Sequence, residues 1–312
     1  MSVAAGRQAR ARWRRVDGVL LLDKPSGLTS NAALQASRRL YQAEKAGHTG
    51  TLDPLASGLL PICFGEATKF AGELLGADKS YCATVQLGIV TDTGDAEGHV
   101  LATHPVDVEP EALASCLAGF LGESQQIPPM HSALKRDGRP LYEYARAGIE
   151  LAREPRRVVI HEIALVDDET DLARRRFAFT VRCSKGTYVR TLATDLGERL
   201  GCGAHLAALR RTAIGGLDLA YAHTLAQLDQ TDAVGREALL LPMDSLLSEL
   251  PEVRLPAESA IRLCHGQAVP VAAAAATRVR VYGSQAEFLG VCAITPYGLL
   301  RPVRLLSPGS GA

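Results

Sequence analysis

The sequence predicts an α+β protein with a mixed or antiparallel sheet, followed by a small C-terminal β domain. Strand and helix patterns mix up to about residue 245 without the regular alternation of a parallel α/β sheet. After that point, short apolar runs follow one another closely with little helical pattern. We therefore expect a disordered basic arm over 1–17, a main domain over 18–245 and a small β domain over 246–312.

The first elements of the main domain follow from hydrophobic periodicity. "GVLLLDKP" predicts a buried strand that ends at a proline, and "TSNAALQASRRLY" (29–41) predicts a helix with an N-cap among its first three residues. "GEATKFAGELLG" predicts a second helix that ends at Gly76. In "KSYCATVQLGI" apolar and polar residues alternate, which predicts a half-buried strand with Tyr81 on its apolar face. "TDTGDAEGH" predicts a turn.

The second half of the main domain predicts a helix near 109–121 and then a proline-broken, basic, tyrosine-bearing insertion over 125–150. "RRVVIHEIALV" and "RRRFAFTVRCS" predict two paired strands. "TYVRTLATDLGERLG" predicts a helix with leucines at every fourth position and Gly201 at its C-terminal cap. "VRLP", "QAVPV", "RVRVYG", "EFLGVCAI" and "LLRPVRLL" predict the strands of the small domain.

Composition excludes several classes of protein. With 47% hydrophobic residues the chain can bury a sizeable core, but its longest apolar run is too short to span a membrane. The seven cysteines are widely spaced and form no CxxC pair, which indicates reduced thiols in a cytosolic protein. The histidines show no HxxxH or HExxH spacing, so we expect no transition-metal site.

The net charge of zero conceals a segregation of charge. Residues 92–123 carry seven acidic residues and no Lys or Arg, whereas residues 174–211 carry nine basic residues against two acidic ones. Residues 7–15 add five arginines. A neutral chain with such basic stretches can bind a polyanion on one face, although ordinary solvated surfaces explain the clusters equally well.

Asp53 is the residue whose local sequence is most unusual. Pro54 holds its backbone extended, and the glycines of "GHTGTLDPLASG" permit sharp turns. A carboxylate displayed on a stiff loop suits nucleophilic catalysis, but an N-cap or turn aspartate fits the pattern too. Arg190 falls in the first turn of its helix, where a cation gains nothing from the helix dipole. A two-point pair with Asp53 would explain it, and a surface arginine is the alternative.

Four other residues remain open on pattern alone. His48 could be a general base, a stacking group or a loop histidine. Tyr81, Tyr188 and Leu209 read as core residues. "GCGAH" follows a helix and is not a dinucleotide-binding signature.

Five blocks of the chain closely resemble the bacterial tRNA pseudouridine-55 synthase family of the TruB type. They are "GVLLLDKPSGLTS", "GHTGTLDPLASGLLPIC", "KSYCATVQLG", "CSKGTYVRTLATDLG" and "GCGAHLAALRR", in this order over residues 18–215. RNA-guided, dyskerin-type synthases share "GHTGTLDP", but "LASGLLPICFGEATKF" and the small C-terminal domain resemble the stand-alone bacterial form. The resemblance also implies a PUA-like RNA-binding fold for that domain.

The resemblance implies roles for individual residues. Asp53 matches the catalytic aspartate, which attacks ribose C1′ or base C6. Arg190 matches its partner, and Tyr81 matches the tyrosine that stacks on the base and is the best candidate to take the C5 proton. His48 matches an RNA contact. Tyr188 and Leu209 match residues that pack around the flipped uracil, and Lys24 and Pro25 match a segment that supports the fold.

The implied function is isomerisation of uridine 55 in the T-loop of tRNA by a cytoplasmic enzyme. We expect no cofactor, metal or ATP, because the product has the atoms of the substrate. We also expect a monomer with no obligatory protein partner and no membrane association. Two alternatives stay open: a non-catalytic RNA-binding or RNA-folding protein, and an RNA-guided synthase that acts on ribosomal RNA.

Overall fold

A computed structural model of the chain describes residues 13–307. Its main domain is built on one mixed sheet, which confirms the predicted fold class. The ten strands, in order across the sheet, are β14 (His223–Thr224), β1 (Gly18–Lys24), β3 (Ser57–Phe64), β12 (Ala204–Ile214), β4 (Lys79–Leu87), β11 (Arg176–Cys183), β10 (Arg156–Asp171) and β7 (Gly122–Gln126), with β2 (Ala46–His48) on β3 and β13 (Leu217–Asp218) on β12.

The sheet is mixed because two of its strand pairs are parallel. β1 pairs with β14 and β12 pairs with β3 in parallel, whereas the other neighbours in the sheet are antiparallel. The predicted alternation in β4 is present, since Tyr81, Ala83, Val85 and Leu87 are buried and the residues between them are half-buried. Tyr81 therefore faces the core side of the central strand.

Six helices accompany this sheet. α1 begins after Thr29, whose side chain accepts a hydrogen bond from the Ala32 amide, as expected of an N-cap. α4 buries Leu192 and Leu196, and Gly201 follows it with φ +77°. The helices are α1 (Ser30–Tyr41), α2 (Pro110–Ala118), α3 (Leu141–Arg146), α4 (Val189–Arg199), α5 (Leu225–Gln230) and α6 (Ala233–Ala238).

The segment predicted as a second helix is instead two separate 3-10 helices, Gly65–Lys69 and Glu73–Gly76. Neither has a side chain at its N-cap position that accepts a hydrogen bond, and Gly65 has φ +54°. Gly72 precedes the second turn and lowers the helical propensity at the midpoint of the segment. The prediction of one continuous helix was wrong because these two glycines disfavour helix at its start and at its midpoint.

The predicted insertion contains a small hairpin and α3. The hairpin strands are β8 (Lys135–Arg136) and β9 (Arg139–Pro140), and a second hairpin pairs β5 (Ile89–Thr91) with β6 (Val100–Thr103). Two arginines of the insertion lie over tyrosine rings: Arg139 over Tyr144 at 4.8 Å and Arg146 over Tyr142 at 5.4 Å.

The small β domain has one five-stranded sheet and one helix that the sequence pattern did not predict. α7 (Ala257–Cys264) buries Ala260 and Leu263 against this sheet. The strands, in order across the sheet, are β15 (Glu252–Arg254), β17 (Ala276–Tyr282), β18 (Phe288–Ile294), β19 (Leu299–Leu305) and β16 (Val269–Pro270).

The small domain packs directly on the main domain. Phe70 and Phe288 meet edge to face at 5.3 Å, and Val291 joins a buried cluster that also contains Val19 of β1. The Tyr282 hydroxyl donates to Asp244 at 2.6 Å. This shared apolar cluster ties the two sheets together.

The structure describes the predicted basic arm only from residue 13 onward. Residues 13–17 pack on the main domain: Arg14 pairs with Glu237, Arg38 lies over the Trp13 ring at 4.6 Å, and Val16 is buried. The expectation of disorder was therefore wrong for these five residues, because Trp13 and Val16 supply apolar contacts. Residues 1–12 lie outside the described part of the chain, as do residues 308–312 of the small domain.

No helix among residues 13–307 is long and apolar enough to cross a membrane.

We predict that Gly58→Ala destabilises the protein by roughly 2–5 kcal/mol. Gly58 has φ +97°, and a Cβ there would lie 2.3 Å from the backbone oxygen of Arg211 in the adjacent strand. Urea denaturation measures the change. Gly72→Ala is the matched control, since nothing lies within 4 Å of its added Cβ. Equal stability of the two variants would contradict the close approach of β3 and β12.

Candidate active site

Asp53 lies on a loop between β2 and β3 that several hydrogen bonds hold in place. The Ser30 hydroxyl exchanges hydrogen bonds with the backbone of Leu52, at 2.9 Å to its oxygen and 2.8 Å from its amide. The Gly27 amide donates to the Pro54 oxygen at 2.8 Å. The loop is thus fastened on both sides of Asp53 by the residues around the start of α1. The Asp53 carboxylate is 41% exposed and points into an open cleft.

Arg190 lies beside Asp53, as the sequence predicted, but the pair is not a two-point contact. Nη2 of Arg190 is 3.0 Å from Oδ2 of Asp53, and Nη1 is 3.6 Å from Oδ2 of Asp95. The same guanidinium donates to the backbone oxygen of His131 at 2.6 Å and lies 3.4 Å from that of Thr93. Arg190 is only 6% exposed. Its planar fork is divided among four acceptors, because three segments besides α4 converge on it.

Desolvation and charge oppose each other at Asp53. Burial in the cleft raises the pKa of this carboxyl, the charge and hydrogen bond of Arg190 lower it, and the neighbouring carboxylate of Asp95 raises it. The net direction is upward. Arg190 therefore limits a shift that would otherwise favour the neutral acid.

Asp95 is a site residue that the sequence pattern did not single out. It is 3% exposed, and its Oδ1 accepts from the Thr93 hydroxyl at 2.6 Å and from the Glu97 amide at 3.1 Å. It lies in "TDTGDAEGH", which reads simply as a polar turn. A buried turn carboxylate leaves no signal in periodicity, since its neighbours Arg190 and Leu206 are far away in the chain.

A cavity of ≈ 180 Å³ brings together five of the six predicted site residues. Asp53, Tyr81, Tyr188, Arg190 and Leu209 all line it. They come from four segments: the loop before β3, strand β4, the start of α4, and strand β12. The sheet order makes this possible, because β12 is the neighbour of both β3 and β4.

The Tyr81 side chain is only 9% exposed in this cavity. Burial raises the pKa of its phenol, and the positive charge of Arg211, directly opposite on β12, acts in the other direction. Cys183 and Asp53 also face it, and each raises this pKa further. The phenol therefore faces a buried cation from the neighbouring strand.

Tyr188 is positioned through its backbone. The Gln126 side chain accepts from the Tyr188 amide at 2.8 Å and donates to its carbonyl oxygen at 3.1 Å. Gln126 is 6% exposed and ends β7, so this amide links the edge of the sheet to the start of α4. Sequence reasoning did not identify it, since a glutamine at a strand end has no distinctive spacing.

His48 lies in a wider cleft of ≈ 700 Å³ that opens beyond Asp53 and also borders Arg190. Its Nδ1 is buried and has no hydrogen-bond partner among the described residues. Burial and the nearby Arg211 lower the pKa of this imidazole, which favours the neutral ring. Tyr142 and Arg146 of the insertion line the opposite side of the cleft. His48 is therefore near Asp53 but outside the inner cavity.

Lys24 lies beneath the site and is completely buried. Its ammonium donates to the backbone oxygens of Pro25 at 2.9 Å and Leu28 at 2.7 Å. Burial lowers its pKa to about 8, although Asp53 and Glu97 act to raise it. These contacts shape the turn that precedes α1, which in turn fastens the Asp53 loop.

The thiols near the cavity are poor nucleophiles. Burial raises the pKa of Cys63 to about 12 and that of Cys183 to about 11, so both are protonated at neutral pH. Among residues 13–307 there is no group of three or more His, Cys, Asp or Glu side chains placed to hold a metal ion. The reactive group that the geometry exposes is the carboxylate of Asp53.

Three family models match successive parts of the chain. "TruB family pseudouridylate synthase (N terminal domain)" matches 38–189, "tRNA pseudouridylate synthase B C-terminal domain" matches 190–248, and "Pseudouridine synthase II TruB, C-terminal" matches 251–306. Together they span the cavity beside Asp53 and the small β domain.

Curated relatives cover nearly the whole chain. The tRNA pseudouridine synthase B of Dechloromonas aromatica (strain RCB) is 55% identical over 299 residues, which are 96% of this chain and 98% of the relative. Proteins with the same name from Burkholderia mallei (strain ATCC 23344) and Azoarcus sp. (strain BH72) are 55% and 56% identical, and cover 99% and 97% of this chain and 100% and 99% of the relatives.

Solved structures show the same fold. A chain in the crystal structure of a Cbf5-Nop10-Gar1 complex superposes with a TM-score of 0.71 and 27% identity, over 93% of this chain and 84% of that chain. A chain in the structure of an H/ACA RNP bound to a substrate RNA containing 2′-deoxyuridine gives a TM-score of 0.70 at 24% identity, over 94% and 86% of the two chains.

We predict that Asp53→Asn unfolds at a higher temperature than the wild type at neutral pH. A carboxyl group whose pKa is higher in the folded than in the unfolded protein binds more protons when the protein is folded. As the pH rises from the unfolded pKa through the folded pKa, ionisation of this group therefore lowers the free energy of unfolding. The gain is at most about 1 kcal/mol because water screens a carboxylate that is 41% exposed.

Unfolding free energies of both proteins between pH 4 and 8 measure this effect, and the difference should shrink toward the acid end. Asp23→Asn is the matched control: it loses the ion pair of Asp23 with Arg210 at 2.7 Å and should not be stabilised. A less stable Asp53→Asn at neutral pH would contradict the upward direction of the shift.

Proposed function

This chain belongs to the TruB family of pseudouridylate synthases, and on that premise we propose that it converts uridine 55 in the T-loop of tRNA to pseudouridine. The observation that carries the proposal is the convergence of Asp53, Arg190, Tyr81, Tyr188 and Leu209 on one small cavity. The relatives named tRNA pseudouridine synthase B, similar over their whole length, support tRNA as the substrate.

The reaction requires a nucleophile, a base and a pocket in which uracil can turn. The bond between C1′ and N1 breaks, the base turns, and C1′ joins C5. C5 then loses its proton and N1 gains one, so every atom of the substrate remains in the product. Asp53 supplies the carboxylate that attacks C1′ or C6, and no redox partner or energy source enters this balance.

The Asp53–Arg190 contact keeps the nucleophile in its reactive form. The attack needs an ionised carboxylate, but the cavity disfavours the charge through desolvation. A guanidinium at 3.0 Å offsets that cost and directs one oxygen. The second oxygen is left to approach the nucleotide. Asp95 at 3.6 Å holds the far side of the same guanidinium, which fixes its direction.

The aromatic side chains of the cavity suit a base taken out of its stack. A uridine in a folded loop must flip out to reach Asp53, at a cost of a few kcal/mol. Stacking on an aromatic ring returns about 1–3 kcal/mol per base. Tyr81 is the group that we assign to stacking and to removal of the C5 proton, with Tyr188 and Leu209 packing around the base.

The wider cleft suits the RNA around the flipped nucleotide. His48 and Arg146 of the insertion both line this opening. We assign His48 to the RNA at the position that the base vacates, as a neutral hydrogen-bonding or stacking group. The insertion over 125–150 and the small β domain bind the rest of the tRNA through phosphates. The protein acts as a cytoplasmic monomer without a guide RNA, a cofactor or a protein partner.

We predict that Asp53→Asn abolishes pseudouridine formation and leaves tRNA affinity within a few-fold of wild type. The amide is nearly isosteric with the carboxyl but cannot act as the nucleophile. Purified protein is incubated with an unmodified tRNA transcript in buffer with a chelator, and pseudouridine is mapped by position. Wild-type protein that binds the transcript without forming a product would indicate a non-catalytic RNA-binding protein.

We predict that Arg190→Lys lowers the single-turnover rate by about 10²-fold or more. Lysine keeps one charge but cannot reach Asp53, Asp95 and two backbone oxygens with one planar group. Arg199→Lys is the matched control on the same helix, since Arg199 contacts the Gly119 oxygen and lies over the Phe120 ring, away from the cavity. Equal rates for both variants would show that charge alone suffices at position 190.

A further inference from the structure

Arg211 is a second buried arginine at this site, and the mechanism above leaves it unused. It is 1% exposed, on strand β12 directly opposite Tyr81 of β4. Its Nε donates to the Leu59 oxygen at 2.7 Å and its Nη2 to the Gly50 oxygen at 3.1 Å. Its guanidinium also interacts with the Tyr81 phenol across the two strands, so that each group shifts the pKa of the other.

The surroundings of Arg211 disfavour its positive charge, so a purely structural role would lower the stability of the folded protein. No carboxylate forms an ion pair with it among the described residues, whereas Lys24, His48 and Lys79 all lie close enough for its charge to lower their pKa values. A buried cation without an opposite charge carries a large desolvation cost. The acidic group that faces Arg211 is the phenol of Tyr81.

The preceding residue of the same strand shows what an ordinary arginine does here. The Arg210 side chain is 43% exposed and makes a two-point pair with Asp23, at 3.0 Å and 2.7 Å. It has both water and a carboxylate. Arg211 has neither water nor a carboxylate. Packing alone would favour an apolar side chain at so buried a position.

The cavity therefore holds two acidic groups, each with its own buried arginine. Arg190 is 6% exposed and contacts Asp53, whereas Arg211 is 1% exposed and contacts Tyr81. The first pair stabilises a carboxylate. The second is placed to stabilise an oxygen that becomes negative for part of the reaction, in a site where such an interaction is strong because water is excluded.

We propose that Arg211 is the positioning residue of Tyr81, holding its hydroxyl oxygen toward the base and stabilising that oxygen as a phenolate. This inference rests on the proposed function. The phenol first releases its proton to solvent. The phenolate oxygen then takes the C5 proton, the electron pair of the C5–H bond restores the C5–C6 double bond of the ring, and Tyr81 is again a phenol that accepts from Arg211.

Arg211 also fastens the nucleophile loop to this strand. Its bonds to the Gly50 and Leu59 oxygens lie on either side of Asp53 in sequence. The backbone at Gly50 has φ +72°, a conformation that glycine adopts without strain. One guanidinium thereby sets the distance between the loop that carries Asp53 and the strand that carries Tyr81.

The test compares single-turnover rates of pseudouridine formation between pH 6 and 10 for wild type, Arg211→Lys, Tyr81→Phe and the double variant. We expect Arg211→Lys to be slower by about tenfold or more at pH 7 and its alkaline rise in rate to move to higher pH. In the Tyr81→Phe background the same change should cost at least threefold less than in the wild type, because the charge then has no phenolate to act on and only the contacts to the Gly50 and Leu59 oxygens are lost. The affinity for tRNA should stay within about threefold.

Two outcomes would overturn the proposal: an equal loss of rate in both backgrounds, or a loss without any movement of the pH profile. Arg210→Lys is the matched control and should keep the wild-type profile. Wild-type protein in which the tyrosines are replaced by 3-fluorotyrosine gives a test without any arginine variant, since a more acidic phenol should move the alkaline rise to lower pH. An unmoved profile in that protein would also overturn it. Wild-type protein that forms no pseudouridine would instead refute the proposed function.

Discussion

The guanidinium of Arg190 is the point on which the geometry of the site depends. It contacts Asp53 of the loop before β3, Asp95 and Thr93 of the turn after β5, and His131 of the insertion. At 6% exposure it can be charged only because these acceptors replace its water. Loss of any one segment would leave a buried donor unpaired, so four separate parts of the chain are held in register by one side chain.

Burial in the cavity raises the reactivity of its acidic groups, and two arginines limit the desolvation cost of their charged forms. Desolvation pushes the pKa values of Asp53 and Tyr81 upward, and Arg190 and Arg211 oppose it at the respective groups. Both arginines belong to elements packed against β4. Asp53 and Tyr81 are therefore each placed beside a separate buried cation.

The small β domain is joined to the main domain by apolar packing, whose clearest contact is Phe70 against Phe288. Phe70 follows the first of the two 3-10 helices that replace the predicted helix. The break between the two 3-10 helices thus affects where the Phe70 ring lies. One continuous helix would place this ring elsewhere on the main domain. The position of the small domain relative to the cavity follows from that local geometry.

The amino-acid sequence by itself determined the fold class, most strands, α1 and α4, and the family, because alternation, helical spacing and five ordered motifs are local properties. The family resemblance, and not hydrophobic periodicity, identified the candidate site residues, among them Asp53 and Leu209. The tertiary structure alone decided that Arg190 is shared between two carboxylates, that Asp95 and Gln126 belong to the site, and that Arg211 faces Tyr81. These are contacts between residues far apart in the chain, and burial and charge at such contacts depend on strand order and register, which no local pattern encodes.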